Sequence, residues 1–237
     1  MSKDFNDPVA RTSAQTTSMD AGLRSYMISV YNYMAMGLGF TGLIAYLVAG
    51  NPALIKALFN GPQAYIVIFA PLILVMVIGA KLQKYSFPTV QTLFWAFAGL
   101  MGLSLSSIFQ VYELGSITET FFMTAAMFGT MSIYGYTTHR DLTSIGSFLH
   151  MGVIGLIIAS VVNMFMQNGA MQYAISMIAV LVFTGLTAYD TQTIKSLYNP
   201  NQSKDNLGKI AIYGAMQLYL DFINIFLALL QLFGNRR

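Results

Sequence analysis

Two of the nine acidic residues, Asp190 and Asp221, stand inside long apolar stretches of this 237-residue chain. An aspartate near the centre of a membrane-spanning helix costs about 2.5–3.5 kcal/mol on insertion scales, and such residues normally face a bundle interior and mark ion or proton paths. The other seven, Asp4, Asp7, Asp20, Glu113, Glu119, Asp141 and Asp205, fall in the N-terminal tail or in expected loops. The two aspartates have polar company. Tyr213, Gln217, Asp221 and Asn224 recur at helical spacing and share one face, as do Thr184, Thr187, Asp190 and Thr191. Ser160, Asn163 and Gln167 form a third stripe. These stripes can either line a polar interior or fasten helices together by hydrogen bonds. If the aspartates meet, two carboxylates in a low dielectric cannot both ionise cheaply, so the pair holds one proton and titrates as a unit. The same oxygens, with hydroxyls, amides and water, offer a loose site to a hard cation such as Ca²⁺, and looseness suits conduction.

Other chemistry is thinly represented. There is no cysteine, so thiolate metal sites, disulfides and cysteine nucleophiles are excluded. His139 and His150 have no acidic or histidine partner at metal spacing and read as loop or interface residues. No phosphate loop, HExxH or nucleophile–base constellation is present, so the chain is expected not to be an enzyme and to need no cofactor. The G-x-G-x-x-G of Gly37, Gly39 and Gly42 lies inside an apolar span, where close helix packing explains it better than dinucleotide binding.

The elements that must position these residues follow from composition. Hydrophobic residues make up 56% of the chain and charged ones 9%, far below the quarter or so of a soluble domain. No Asp, Glu, Lys or Arg occurs from Tyr85 to Tyr112 or from Leu142 to Tyr189. Apolar segments at 27–49, 64–80, 89–111, 120–138, 147–167, 172–193 and 208–233 predict seven transmembrane helices in an all-α, polytopic membrane protein. Clusters such as Asn51-Pro52, Ser86-Phe87-Pro88 and Asn199-Pro200-Asn201 separate them. Residues 1–25 read as a flexible cytoplasmic tail and 26–237 as the transmembrane domain. Nine of the twelve Lys and Arg residues fall on the N-terminal side of the membrane and Lys56, Arg236 and Arg237 on the other. The positive-inside rule thus places the N-terminus in the cytoplasm and, with seven spans, the C-terminus outside. A re-entrant last segment would return it to the cytoplasm. The net charge of +3 concerns topology, and nucleic acid is not an expected partner.

Three motifs are recognisable. Gly214-Ala-Met-Gln-Leu-Tyr-Leu-Asp221-Phe-Ile-Asn-Ile-Phe226 closely resembles the last-helix signature of the Bax inhibitor-1 family (transmembrane Bax inhibitor motif proteins). Ala188-Tyr-Asp190-Thr-Gln192 resembles its sixth-helix motif, and the run from Thr138 to Phe148 resembles its loop into the fifth helix, especially in the bacterial branch. The resemblance covers the chain beyond about residue 25. It implies a central last helix wrapped by two three-helix layers, in a bacterial inner (plasma) membrane. It further implies a pH-sensitive Ca²⁺ leak gated by an aspartate pair that maps onto Asp190 and Asp221. The family's basic latch is an arginine at the end of the second helix; this chain has Lys81 near that place, a point charge without the bidentate fork. Another bacterial branch modulates a membrane-anchored ATP-dependent protease, which the polar tail leaves open. A proton-coupled transporter using the pair as carrier site is a third reading.

Overall fold

The computed structural model describes the backbone of residues 8–237 and the side chains from residue 21 onward. All regular elements in it are helical: α1 (Pro8–Ala49), α2 (Pro52–Phe59), α3 (Gln63–Lys81), α4 (Phe87–Leu105), α5 (Ile108–Val111), α6 (Leu114–Thr137), α7 (Thr143–Met166), α8 (Gly169–Ser196) and α9 (Lys204–Phe233). The expected tail, residues 1–25, lies largely outside the described side chains; its backbone from Pro8 belongs to α1.

The turn residues of the sequence act as helix caps. Asn51 accepts hydrogen bonds from the amides of Ala53 and Leu54 at the start of α2, and Ser86 accepts one from Thr89 ahead of α4. Asn168 caps α8 through Met171, and Ser203 caps α9 through Asn206. Each satisfies an amide that the first helical turn leaves unpaired. One expected segment, 89–111, is interrupted: α4 ends at Leu105, and α5 restarts after Ser106 and Ser107, whose hydroxyls donate to Leu103 and Ser104 carbonyls.

Six helices are long and apolar enough to cross a bilayer, among the described residues: the part of α1 from Ala21, α3, α4 continued through α5, α7, α8 and α9. Helix α6 has 24 residues, about 36 Å of axial rise, which spans a hydrocarbon core of about 30 Å. Its Ser116, Thr120, Thr124 and Ser132 make it less apolar than the rest, and all four are buried. The count of seven spans therefore turns on α6, where these four hydroxyls face the bundle while the exposed Thr118, Thr130 and Thr137 donate to carbonyls of their own helix.

Helices α1 and α3 both pack on α4, α6 and α7 pack on α8, and α9 lies against α1, α4, α6 and α8. The best 18-residue window of α9 is 61% buried, against 11–39% for the other spans. The last helix is thus the core, and Phe97, Met216, Leu218 and Tyr219 around it are fully buried. Exposed Ile66, Ile73, Phe148, Phe165 and Leu181 cover the outside, the pattern of helices solvated by lipid. The turns 82–86, 138–142 and 197–203 fall at one end, called here the near end; 50–62, 106–113, 167–168 and the C-terminus fall at the far end.

Close approach is concentrated at particular glycines. A Cβ on Gly102 would come 2.8 Å from the Thr41 carbonyl oxygen, which sets how near α1 comes to α4. A Cβ on Gly135 would collide with the Ala188 backbone between α6 and α8. The G-x-G-x-x-G run divides. Gly37 seats Phe94, whereas Gly39 and Gly42 have no neighbour within 4 Å of a built Cβ, so packing accounts for only the first of the three.

Candidate functional site

Helices α8 and α9 are antiparallel neighbours because seven residues join them. Their register is read from two contacts. Gly214 packs against Ile194 at the near end, and the Ser176 hydroxyl donates to Gln231 Oε1 at 2.7 Å near the far end. That register sets Thr187 level with Asp221 and Asp190 level with Leu218. Side chains lean toward the N-terminus of their own helix. Asp190 therefore leans toward the far end and Asp221 toward the near end, and the two carboxyl groups converge within hydrogen-bonding reach of each other. Both are buried, at 8% and 4% exposure. Asp221 lies twelve residues from the end of α9, about 18 Å along the axis, so the pair sits deep in the bundle. Asp221 Oδ2 is buried without a hydrogen-bond partner among the described residues.

The expected α8 stripe divides between neighbours. Thr191 is fully buried and faces α6, where its hydroxyl lies 3.0 Å from Ser132 Oγ. Ser132 in turn meets the Tyr31 hydroxyl of α1 at 2.6 Å, making a three-hydroxyl chain beside Asp190 that ties α1, α6 and α8 together. Thr187 donates back to the Phe183 carbonyl of its own helix at 2.8 Å. Thr184 Oγ1 is buried with no partner among the described residues, one turn beyond Thr187 and level with Asn224.

The α9 stripe runs from α3 to the groove beside α7. Tyr213 packs against Gly79 of α3, with a Cβ there 3.2 Å from its hydroxyl. Gln217 is half-buried on the way to Asp221, and Asn224 lines a cavity of about 350 Å³ shared with α7 and α8. Ser160, Asn163 and Gln167 line an adjoining cavity of about 630 Å³ at the far end. Asn163 is buried and fastens the α7–α8 turn, donating to Gln172 Oε1 at 2.9 Å and accepting from the Asn168 amide at 3.0 Å.

Lys81 is not brought to the pair. It is exposed at the end of α3, two residues past Gly79, which lies beside Tyr213, two turns of α9 before Asp221. His150, read from sequence as a bland interface residue, lies within charge-interaction range of Asp190. Its Nδ1 is 2.8 Å from the Gly146 carbonyl oxygen, and its ring meets Tyr189 edge-on at 5.6 Å. His139 is exposed in the α6–α7 turn. Sequence reasoning also missed Tyr31, Ser132 and Gln231. The first two have no serine, threonine, amide or carboxylate three or four residues away on their own helices, and the third required extending the α9 spacing one heptad past Asn224.

Among the described residues no three His, Cys, Asp or Glu side chains cluster as metal ligands. Two carboxyls, hydroxyls and amides can offer a cation at most an incomplete oxygen shell, since Ca²⁺ takes six to eight ligands.

Comparisons with known proteins bear on the family of the chain. The family profile described as "Inhibitor of apoptosis-promoting Bax1" matches residues 23–237. The chain is 48% identical over 220 residues to the inner membrane protein YbhL of Escherichia coli K12, covering 92% of this chain and 94% of that protein. It is 45% identical over 234 residues to the uncharacterized protein RP147 of Rickettsia prowazekii, covering 99% of each. It is also 36% identical over 222 residues to the uncharacterized membrane protein SpyM3_0260 of Streptococcus pyogenes, with 92% and 96% covered. With the profile spanning every helix that packs on the aspartate pair, the chain is a polytopic membrane protein that belongs to the Bax inhibitor family.

Proposed function

We propose that the chain is a passive cation leak, for Ca²⁺, in a bacterial inner membrane, gated by the protonation state of the Asp190–Asp221 pair. The observation that carries this reading is the meeting of two buried carboxyl groups, Asp190 and Asp221, from adjacent helices, with no basic side chain hydrogen-bonded to either among the described residues. Protonation decides whether the pair repels itself or holds together through a shared proton. Each aspartate sits on a different helix, so that choice acts directly on the α8–α9 contact. With seven spans the near end, which carries most of the basic residues, faces the cytoplasm. The likeness to YbhL, an inner membrane protein by name, supports the choice of membrane.

Reconstitution into liposomes with a Ca²⁺ gradient and an entrapped indicator tests the proposal. Flux that changes with pH in wild type, and loses that change in Asp190→Asn and Asp221→Asn, is the expected result. Wild-type vesicles no leakier than empty ones would remove the leak. Flux that needs a gradient of a second solute would replace it by coupled transport.

A further inference from the structure

The groove between α7, α8 and α9 has a character the aspartate pair alone does not explain. Its far-end cavity of about 630 Å³ is lined by amide and hydroxyl side chains, among them Asn163, Gln172 and Gln231. It shares Ser160, Gln172 and Gln231 with the cavity of about 350 Å³ that continues to Phe183 and Asn224. Asn224 is one helical turn from Asp221. The carboxamide of Asn224 is half-exposed to this groove and hydrogen-bonds to no other group among the described residues. An amide facing lipid tails in that state is costly, whereas an amide facing water is satisfied. The far-end cavity offers water several amide and hydroxyl partners, whereas most residues lining the cavity toward Asn224 are apolar, and there Ser160, Gln172, Ser176, Asn224 and Gln231 are the groups that can hold water.

One charged side chain, Arg236, lines the far-end cavity among the described residues, with Glu113 and Arg237 in the same paired segment. Beyond α9 the chain turns back and pairs with the α5–α6 connection. The Glu113 amide donates to the Asn235 carbonyl at 3.0 Å, and the Arg237 amide donates to the Val111 carbonyl at 3.0 Å. The Asn235 amide donates to Ser116 Oγ at 3.1 Å. This strap lays the Arg236 guanidinium over the Tyr112 ring, 5.8 Å from its centroid, and makes Arg236 part of the cavity lining. No acidic side chain lines either cavity among the described residues.

We propose that the α7–α8–α9 groove is an aqueous vestibule leading to the aspartate pair, and that the C-terminal strap fixes Arg236 at its mouth as a charge filter that slows cation entry. The filter's role in a cation leak rests on the function proposed above; the vestibule and its charge preference do not. A single fixed charge about 8 Å from an entering monovalent reagent changes its local concentration about twofold in water and more where the walls are apolar.

The absence of cysteine makes the test direct. Asn224→Cys, Gln231→Cys and, on the exposed outer face of α8, Ile178→Cys are placed singly in nanodiscs at low salt and labelled with cationic and anionic methanethiosulfonates. Asn224→Cys and Gln231→Cys should react, and Ile178→Cys should not, because a thiolate does not form in hydrocarbon. The anionic reagent should be favoured at Gln231→Cys. Arg236→Gln should lower that preference about threefold or more and Arg236→Glu should reverse it. In liposomes Arg236→Gln should raise Ca²⁺ flux. Asn224→Cys as inert as Ile178→Cys would show that lipid fills the groove and overturn the vestibule. A reagent preference unchanged in both Arg236 variants would overturn the filter. Absent wild-type flux would count against the proposed leak alone, because the labelling decides the vestibule without it.

Discussion

Helix α6 contains two glycines that should respond in opposite ways to the same methyl group. At Gly129 a built Cβ has no neighbour within 4 Å. Alanine there only restricts the unfolded chain and favours helix, a gain of about 0.5–1 kcal/mol. At Gly135 the Cβ would collide with the Ala188 carbonyl and lie 2.8 Å from its Cα. Carbon–carbon contact relaxes at about 3.5–4.0 Å, so α6 and α8 must part by about 1 Å. Neither partner is a flexible side chain that could swing aside. Overpacking of this kind costs about 1–3 kcal/mol, which also becomes the expected gap between the variants, because the propensity gain is common to both. Ala188 is two residues from Asp190, so the displacement should also disturb the pH response of flux. Reversible unfolding in mixed micelles compares Gly129→Ala and Gly135→Ala with wild type. Equal stabilities would refute the packing argument, and a displaced α8 with an unaltered pH response would refute its link to the pair.

The three-hydroxyl chain should behave as a coupled unit. A double-mutant cycle of Tyr31→Phe and Ser132→Ala should give a coupling of about 0.6–1.7 kcal/mol in the same unfolding assay, and additive losses would mean the 2.6 Å contact contributes nothing. Truncating Phe94, fully buried beneath Gly37 and against Tyr33, to alanine should cost about 3–5 kcal/mol in that assay. At the start of α7, hydrogen bonds from the Thr143 hydroxyl and amide hold the Asp141 carboxyl below its ordinary range. A group with a lowered folded-state value stabilises above its unfolded value and loses that contribution as pH falls through the folded one. Hydrogen exchange in the first turn of α7 should therefore accelerate relative to α9 on acidification below the usual carboxylate range. Asp141→Asn should lack that pH dependence, and an unchanged profile in the variant would sink the role given to the Asp141–Thr143 hydrogen bonds.

Most of the helical architecture was legible because the physics that builds it is one-dimensional. Runs without charge define spans, and Asn51 and Ser86, read as turn residues, cap the starts of α2 and α4; the cap of α9 is Ser203, beyond the Asn199-Pro200-Asn201 turn that the sequence marks. The aspartate pair was legible because an intramembrane carboxylate is costly and a seven-residue connection leaves α8 and α9 few ways to pack. What escaped depends on distance between segments remote in sequence. Ser132 looks like any membrane serine until α1 brings Tyr31 to it across 101 residues. Arg236 looks like a terminal charge until the strap folds it onto Tyr112. The shared face of Thr184, Thr187 and Thr191 was read as one stripe, but a helix face is wide enough to touch two neighbours. Thr191 went to α6, and Thr187 turned back on its own carbonyl. Lys81 shows the same limit: sequence places it at the end of α3, and only the register of Gly79 with Tyr213 shows how far from Asp221 that is.

The account stands most directly on whether the pair controls permeation. Ca²⁺ flux into liposomes, measured from pH 5 to pH 8 (roughly the window open to a perturbed carboxyl pair) for wild type, Asp190→Asn, Asp221→Asn and the double variant, makes the comparison. The account predicts a pH-dependent wild-type flux and pH-independent flux in all three variants, with the double variant no different from the singles because the two residues act as one unit. A wild-type pH profile retained in either single variant would contradict it.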